Sequence, residues 1–163
     1  MPVIIPLEEC IREEKVETFF KKLIERHESL RTAFVVVNEE PVQKIHRDVN
    51  FSIGRFEIKE KAGIVPFIAG LIGSFDLRTA PLLRVNLVTI GATPGVLLID
   101  MHHIITDGIS QGILAGEFLV LYSGEEMPPL RLRYKDYSAW HHSEPHQEAI
   151  KHHQLAQPDE TRS

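Results

Sequence analysis

The feature that most constrains the fold is a pair of short, almost continuously apolar runs. Leu82-Leu83-Arg84-Val85-Asn86-Leu87-Val88 and Val96-Leu97-Leu98-Ile99-Asp100 lie close together, joined through Gly91-Ala92-Thr93-Pro94-Gly95. Short runs of aliphatic and β-branched residues bounded by Gly and Pro read as strands. A strand that is apolar at consecutive positions needs cover on both faces, which predicts the middle of a sheet. The rest of the chain must therefore supply helices to pack against it.

The pattern supplies them. From Glu13 to Leu30, Val16, Phe19, Phe20, Leu23 and Ile24 recur at i, i+3, i+4, i+7 spacing, predicting an amphipathic helix. Glu13, Glu14, Lys15, Lys21, Lys22 and Glu25 form its wet face. Ala33 to Val37 reads as a strand, Asn38-Glu39-Glu40-Pro41 as a turn, and Val42, Lys44 and Ile45 as the return strand of a hairpin. Phe51, Ile53, Phe56 and Ile58 give a further extended segment, interrupted at Gly54, where a bulge is one possibility. Pro66 suits the first turn of a short helix and Gly73 its end. After the second apolar strand, Ile109, Ile113, Leu114, Phe118, Leu121 and Tyr122 have helical spacing, closed by Ser123-Gly124. Tyr134, Tyr137 and Trp140 fit one stripe of a last helix, beyond which the chain turns polar and His-rich. Interspersed helices and strands predict an α/β or α+β layered sandwich, the first choice being an α/β two-layer sandwich with a mostly β central sheet and helices. Residues 1–142 read as one lobe and 143–163 as a polar helix end and tail.

Composition excludes several classes. One Cys in 163 residues rules out a disulfide scaffold and any multi-Cys zinc or iron–sulfur site, and suits a reducing cytoplasm. A net charge of −5 argues against non-specific nucleic-acid binding. No stretch approaches the ~20 apolar residues of a membrane span. The opening Met1-Pro2-Val3-Ile4-Ile5-Pro6 is too short and uncharged for a signal peptide. The expectation is a cytoplasmic chain with neither nucleic acid nor membrane as partner.

The chemistry-bearing constellation is His102-His103-Ile104-Ile105-Thr106-Asp107-Gly108, an HHxxxDG pattern in the turn that leaves a buried strand and enters a helix. A strand end can hold one imidazole toward an opening while its neighbour faces the core. His103 is the candidate for a group that takes or holds a proton near neutral pH, and His102 is the packed member. Asp107 precedes the helix, where it can cap free N–H groups or pair with an Arg from another segment. Gly108 permits a backbone conformation that a Cβ would forbid. His142 and His146 have i, i+4 spacing, but with no Cys or HExxH pattern nearby a solvated helix end is the better reading than a metal site.

HHxxxDG resembles the signature of the condensation domains of nonribosomal peptide synthetases, in the chloramphenicol-acetyltransferase-like superfamily. Three further segments agree, in family order. Arg26-His27-Glu28-Ser29-Leu30-Arg31-Thr32-Ala33-Phe34 resembles RHExLRTxF. Phe75-Asp76-Leu77 with Pro81-Leu82-Leu83-Arg84 resembles FDLxxxPLLR. Tyr134-Lys135-Asp136-Tyr137-Ser138-Ala139-Trp140 resembles YxDYAxW.

The resemblance implies amide-bond formation between an acyl or peptidyl thioester on one carrier protein and an aminoacyl amine on another. Both substrates are tethered to phosphopantetheine arms, and no cofactor or metal is bound directly. His103 would orient the amine or accept its proton, with His102 beside it. Asp107 would form a structural ion pair with Arg31, or with Arg26 as second choice. Gly108 would leave room for the arm. The resemblance covers one lobe, the donor-side half, trimmed at the front. The partners implied are carrier proteins and a missing C-terminal lobe, or self-association in its place, and a lone lobe is expected to be inactive. Alternatives are an acyltransferase using coenzyme A or a polyketide thioester, an epimerisation domain, or a non-catalytic interaction half-domain.

Overall fold

The computed structural model describes residues 2–7, 13–91 and 93–130, and beyond them 136, 139, 140 and 143. The elements run β1 (Pro2–Pro6), α1 (Glu13–Arg26), a 3-10 turn (Glu28–Arg31), β2 (Thr32–Val37), β3 (Glu40–Ile45), β4 (Gly54–Ile58), α2 (Ile64–Leu71), β5 (Leu83–Ile90), β6 (Thr93–Met101), a 3-10 turn (His103–Ile105) and α3 (Gly108–Ser123). Among the described residues the strands form a four-stranded sheet in the order β1-β6-β5-β4 and a two-stranded sheet of β2 and β3. The sheet is mixed: β4 runs parallel to β5, and β1 and β6 pair antiparallel. The expected α/β architecture with a central sheet is the one observed.

The two apolar runs are the two central strands, β5 and β6, in register from Leu83 opposite Met101 to Val88 opposite Val96. Their side chains alternate between faces. Leu83, Val85, Leu87, Leu97 and Met101 face the main core, with Val16, Phe20 and Leu23 of α1 and Leu121 of α3. Arg84, Asn86, Val88, Leu98 and Asp100 take the opposite face, where Phe67 of α2 packs edge-on against Phe56 of β4 at 5.5 Å. Leu23, Leu30, Leu82 and Leu97 are fully buried, each contributing about 1.5–3 kcal/mol by its removal from water.

Three local features add to or depart from the sequence reading. The opening Pro2–Pro6 segment is itself an edge strand, paired from Pro2 opposite Asp100 to Pro6 opposite Val96. Its prolines occupy the two ends, where a missing donor is tolerated. The bulge lies not at Gly54 but in the β5–β6 pair between Val88 and Ile90. Gly54 pairs regularly with Asn86, whose side chain fills the space a Cβ there would need. The first helix ends at Arg26, short of the Leu30 to which its pattern runs, because residues 28–31 tighten into the 3-10 turn that leads into β2.

The chain divides into two compact units, Met1–Pro128 and Pro129–Ser163. The expected division at 142 falls inside the second unit. Tyr134, Tyr137, His141, His142, His146, His152 and His153 lie outside the described residues.

Candidate functional site

The site grows out of the end of β6. Asp100 is on the back face, Met101 returns to the core, and His102 follows on the back face. The backbone N–H of His102 donates to the Leu82 carbonyl at 3.0 Å, which ties the strand end to the entry of β5. The chain then turns sharply. The N–H groups of Ile105 and Thr106 donate to the carbonyls of His102 and His103 at 3.1 and 3.4 Å. Ile105 and Thr106 are buried, while His103 and Ile104 are exposed.

This turn holds the two imidazoles in different ways. The N–H of Ile104 donates to His102 Nδ1 at 3.1 Å, so in neutral His102 Nδ1 carries the lone pair and Nε2 the proton. His103 Nδ1 lies 2.8 Å from the Thr106 carbonyl, an acceptor only, so Nδ1 is protonated and donates. Neutral His103 then has its lone pair on Nε2, for which no hydrogen bond is recorded among the described residues. His102 stands perpendicular to the Phe75 ring at 6.0 Å, and His103 is open to solvent.

Asp107 caps α3. Its Oδ1 accepts from the Ser110 N–H at 2.8 Å and from the Ser110 hydroxyl at 2.7 Å. These bonds, that of the Ser110 N–H foremost, hold its carboxyl below the usual aspartate range. The ion pair expected with Arg31 or Arg26 is not formed. Arg31 donates to the His46 carbonyl at 2.5 Å and stands 3.8 Å from Glu28. Arg26 Nε donates to Glu117 Oε1 at 3.0 Å, and its other arm to the Pro128 carbonyl at 2.7 Å. The physical reason is local: the free N–H groups at the start of α3 satisfy Asp107 before any distant cation can reach it.

Gly108 is also revised. It opens α3 without a left-handed φ, so no special conformation demands glycine. A Cβ built there meets nothing within 4 Å, which leaves open space beside the turn.

Sequence reasoning missed two clusters. His27 Nε2 donates to Glu117 Oε2 at 2.5 Å while Arg26 holds Oε1, so both motif residues clasp one carboxylate of α3. Buried Asp100 accepts from Arg84 at 3.1 Å, the pair standing in register across β5 and β6. The Arg84 guanidinium lies 3.9 Å from the centroid of Phe75 and also donates to the Gly73 carbonyl. The sequence carried a signal for the second cluster, an Arg and an Asp inside otherwise apolar strands.

Among the described residues no group of three or more His, Cys, Asp or Glu is placed to hold a metal, and no helix is long and apolar enough to cross a membrane.

A mixed sheet with helices on its faces and a histidine-bearing turn at the end of a central strand defines the class of chloramphenicol-acetyltransferase-like folds. Solved structures agree on the fold. The epimerization domain from the third module of tyrocidine synthetase B superposes with a TM-score of 0.77 at 23% identity, over 100% of this chain and 41% of that one. The condensation domain from Monacolin K polyketide synthase gives 0.76 at 17% identity, over 94% of this chain and 34% of that one. The family model for the condensation domain matches residues 1–155, and the chain belongs to that family. Among curated relatives, tyrocidine synthase 3 of Brevibacillus parabrevis is 47% identical over 140 residues, 86% of this chain and 2% of that protein. Gramicidin S synthase 2 of Aneurinibacillus migulanus is 44% identical over 151 residues, 93% of this chain and 3% of that protein. The chain thus spans a few hundredths of the length of these relatives.

Proposed function

We propose that this chain is the donor-side lobe of a condensation site that joins a carrier-bound acyl or peptidyl thioester to a carrier-bound aminoacyl amine in nonribosomal peptide synthesis. The observation that carries the reading is His103. Its Nδ1 is engaged by the Thr106 carbonyl, and its Nε2 lone pair points away from that bond at an exposed strand end.

The chemistry follows from that lone pair. The acceptor amine attacks the thioester carbonyl, a C–N bond forms, and the C–S bond breaks. His103 Nε2 takes the proton that the nitrogen sheds, and the leaving thiolate of the phosphopantetheine arm receives it. Protonation leaves both ring nitrogens as donors, and the Thr106 carbonyl continues to accept from Nδ1–H, so the ring keeps its orientation through the step. Holding two tethered reactants in line supplies much of the rate. Asp107 starts α3, Gly108 leaves space for the arm, and His102 supports the turn.

A second lobe, whether on the same polypeptide or a separate one, completes the water-poor passage that such chemistry needs. Ile109, Ile113 and Leu119, exposed along α3, support an apolar partner surface on this lobe. Epimerisation is the second reading, because epimerisation domains share the HHxxxDG pattern carried by His102, His103, Asp107 and Gly108.

The test presents the chain with an acyl-loaded and an aminoacyl-loaded carrier, with and without a separately expressed second lobe. Amide product that requires His103 supports condensation. Inversion of a carrier-bound aminoacyl group without amide product supports epimerisation. Neither product in any combination leaves a non-catalytic interaction lobe.

A further inference from the structure

The back face of the sheet holds a chain of contacts that ends on the site. Asp100 is 2% exposed, a carboxylate taken almost fully out of water. Its partner Arg84 faces it across the β5–β6 ladder. A buried carboxylate needs a compensating cation, so this pair fixes where the guanidinium lies. The flat guanidinium in turn covers one ring, that of Phe75. Phe75 belongs to the connector between α2 and β5, where it has no strand ladder to hold it. Its ring stands at 88° to that of His102. His102 is the residue whose Nδ1 receives the Ile104 N–H and so closes the turn that aims the Thr106 carbonyl at His103.

Resting on the condensation reading above, we infer that Phe75, clamped by the Arg84–Asp100 pair, is a positioning residue that sets the His102 ring and through it the presentation of His103. Neither Phe75 nor Arg84 touches the reacting atoms. Both act on the shape of the turn. A side chain of similar volume without a flat ring cannot give His102 the same perpendicular wall, so the imidazole gains rotational freedom and shares Nδ1 less well with the Ile104 N–H. A loosened turn then averages the direction of the Thr106 carbonyl.

The experiment uses the whole chain, ¹⁵N-labelled at histidine, and reads tautomers from the imidazole nitrogen spectrum. The expected wild-type result is two single, opposite tautomers for His102 and His103. Phe75→Leu is expected to move both toward averaged shifts while backbone amide signals outside the turn stay in place. Phe75→Tyr, which keeps the ring, is expected to restore the wild-type pattern. Arg84→Lys keeps a cation for Asp100 and removes the flat surface from the ring. It is expected to shift His102 in the same direction as Phe75→Leu, and it decides the matter if the leucine variant does not fold. In the assembled condensation assay, Phe75→Leu is expected to lower kcat about tenfold to a hundredfold, with KM for the loaded carriers unchanged. Wild-type imidazole spectra in both Phe75→Leu and Arg84→Lys overturn the inference. A spectrum that changes as expected, in a protein that makes no amide product with any combination of loaded carriers and second lobe, overturns the condensation reading and leaves the positioning role standing.

Discussion

Adjacent His102 and His103 are held in opposite tautomers by two backbone groups of one turn. The Ile104 N–H claims the Nδ1 lone pair of His102, and the Thr106 carbonyl claims the Nδ1 proton of His103. A single turn thereby makes one imidazole a structural acceptor and leaves the other with a lone pair facing outward. The division of labour needs no carboxylate behind either ring.

His103→Ala tests the outward lone pair. In an assembled condensation assay the variant is expected to lose amide formation by roughly 10²- to 10⁴-fold, the usual worth of a general base. Because His103 is exposed, the folding free energy is expected to move by no more than about 0.5 kcal/mol. Product analysis by mass spectrometry and a urea melt on the same preparation check both halves.

Asp107 gives a pH prediction. Its carboxyl titrates below its ordinary value of 3.8 because the folded state donates Ser110 N–H and hydroxyl bonds to the charged form. A depressed folded-state value means that the stabilisation is fully present above the unfolded value and is lost as the pH falls through the folded one. Wild type and Asp107→Ala are therefore expected to differ in melting temperature at pH 6, by a gap that narrows as the pH falls below 3.8 and through the lower folded-state value. Asp107→Asn keeps an oxygen acceptor at the helix start and is expected to fall between them. Amide exchange at Ser110 should quicken in the alanine variant.

Glu117 joins α3 to the end of α1. Replacing it by Gln removes the charge that Arg26 and His27 share, in a place where all three side chains are 16–17% exposed. A loss of about 1–3 kcal/mol is expected, the range for hydrogen bonds to charged groups that lose their partner. Chemical denaturation reads it, and a double-mutant cycle of Glu117→Gln with Arg26→Gln should give a coupling energy well above that of the exposed Lys21–Glu17 pair.

Gly95 lies at the β5–β6 bulge, where a Cβ would collide with the Val88 carbonyl. Gly95→Ala is expected to destabilise the fold by about 1–3 kcal/mol through forced separation of the central strands. Thermal melting checks this, and Gly108→Ala, which meets nothing within 4 Å, is the control that should melt like wild type.

The apolar runs announced the two central strands because a strand covered on both faces is apolar at most positions, with Arg84, Asn86 and Asp100 as the exceptions here. The i, i+4 stripe of α1 and the Gly124 stop of α3, left-handed at φ 85°, were legible for similarly local reasons. The HHxxxDG turn was legible as a candidate site because its residue types sit together in the chain. The edge strand Pro2–Pro6 was not, since its identity rests on a ladder with β6, remote in sequence.

Sequence by itself named the candidate residues at the strand end. Only the tertiary structure decided the partners. Asp107 turned inward to its own helix and not to Arg31 or Arg26, because a neighbouring N–H costs no chain closure to reach. Arg26 and His27 closed instead on Glu117, and Arg84 met Asp100 and Phe75, because strand register and helix packing bring those groups together from distant parts of the chain. Residue types carry chemical capacity locally, whereas a pairing between distant residues exists only once the fold has paid the entropy of bringing them into contact.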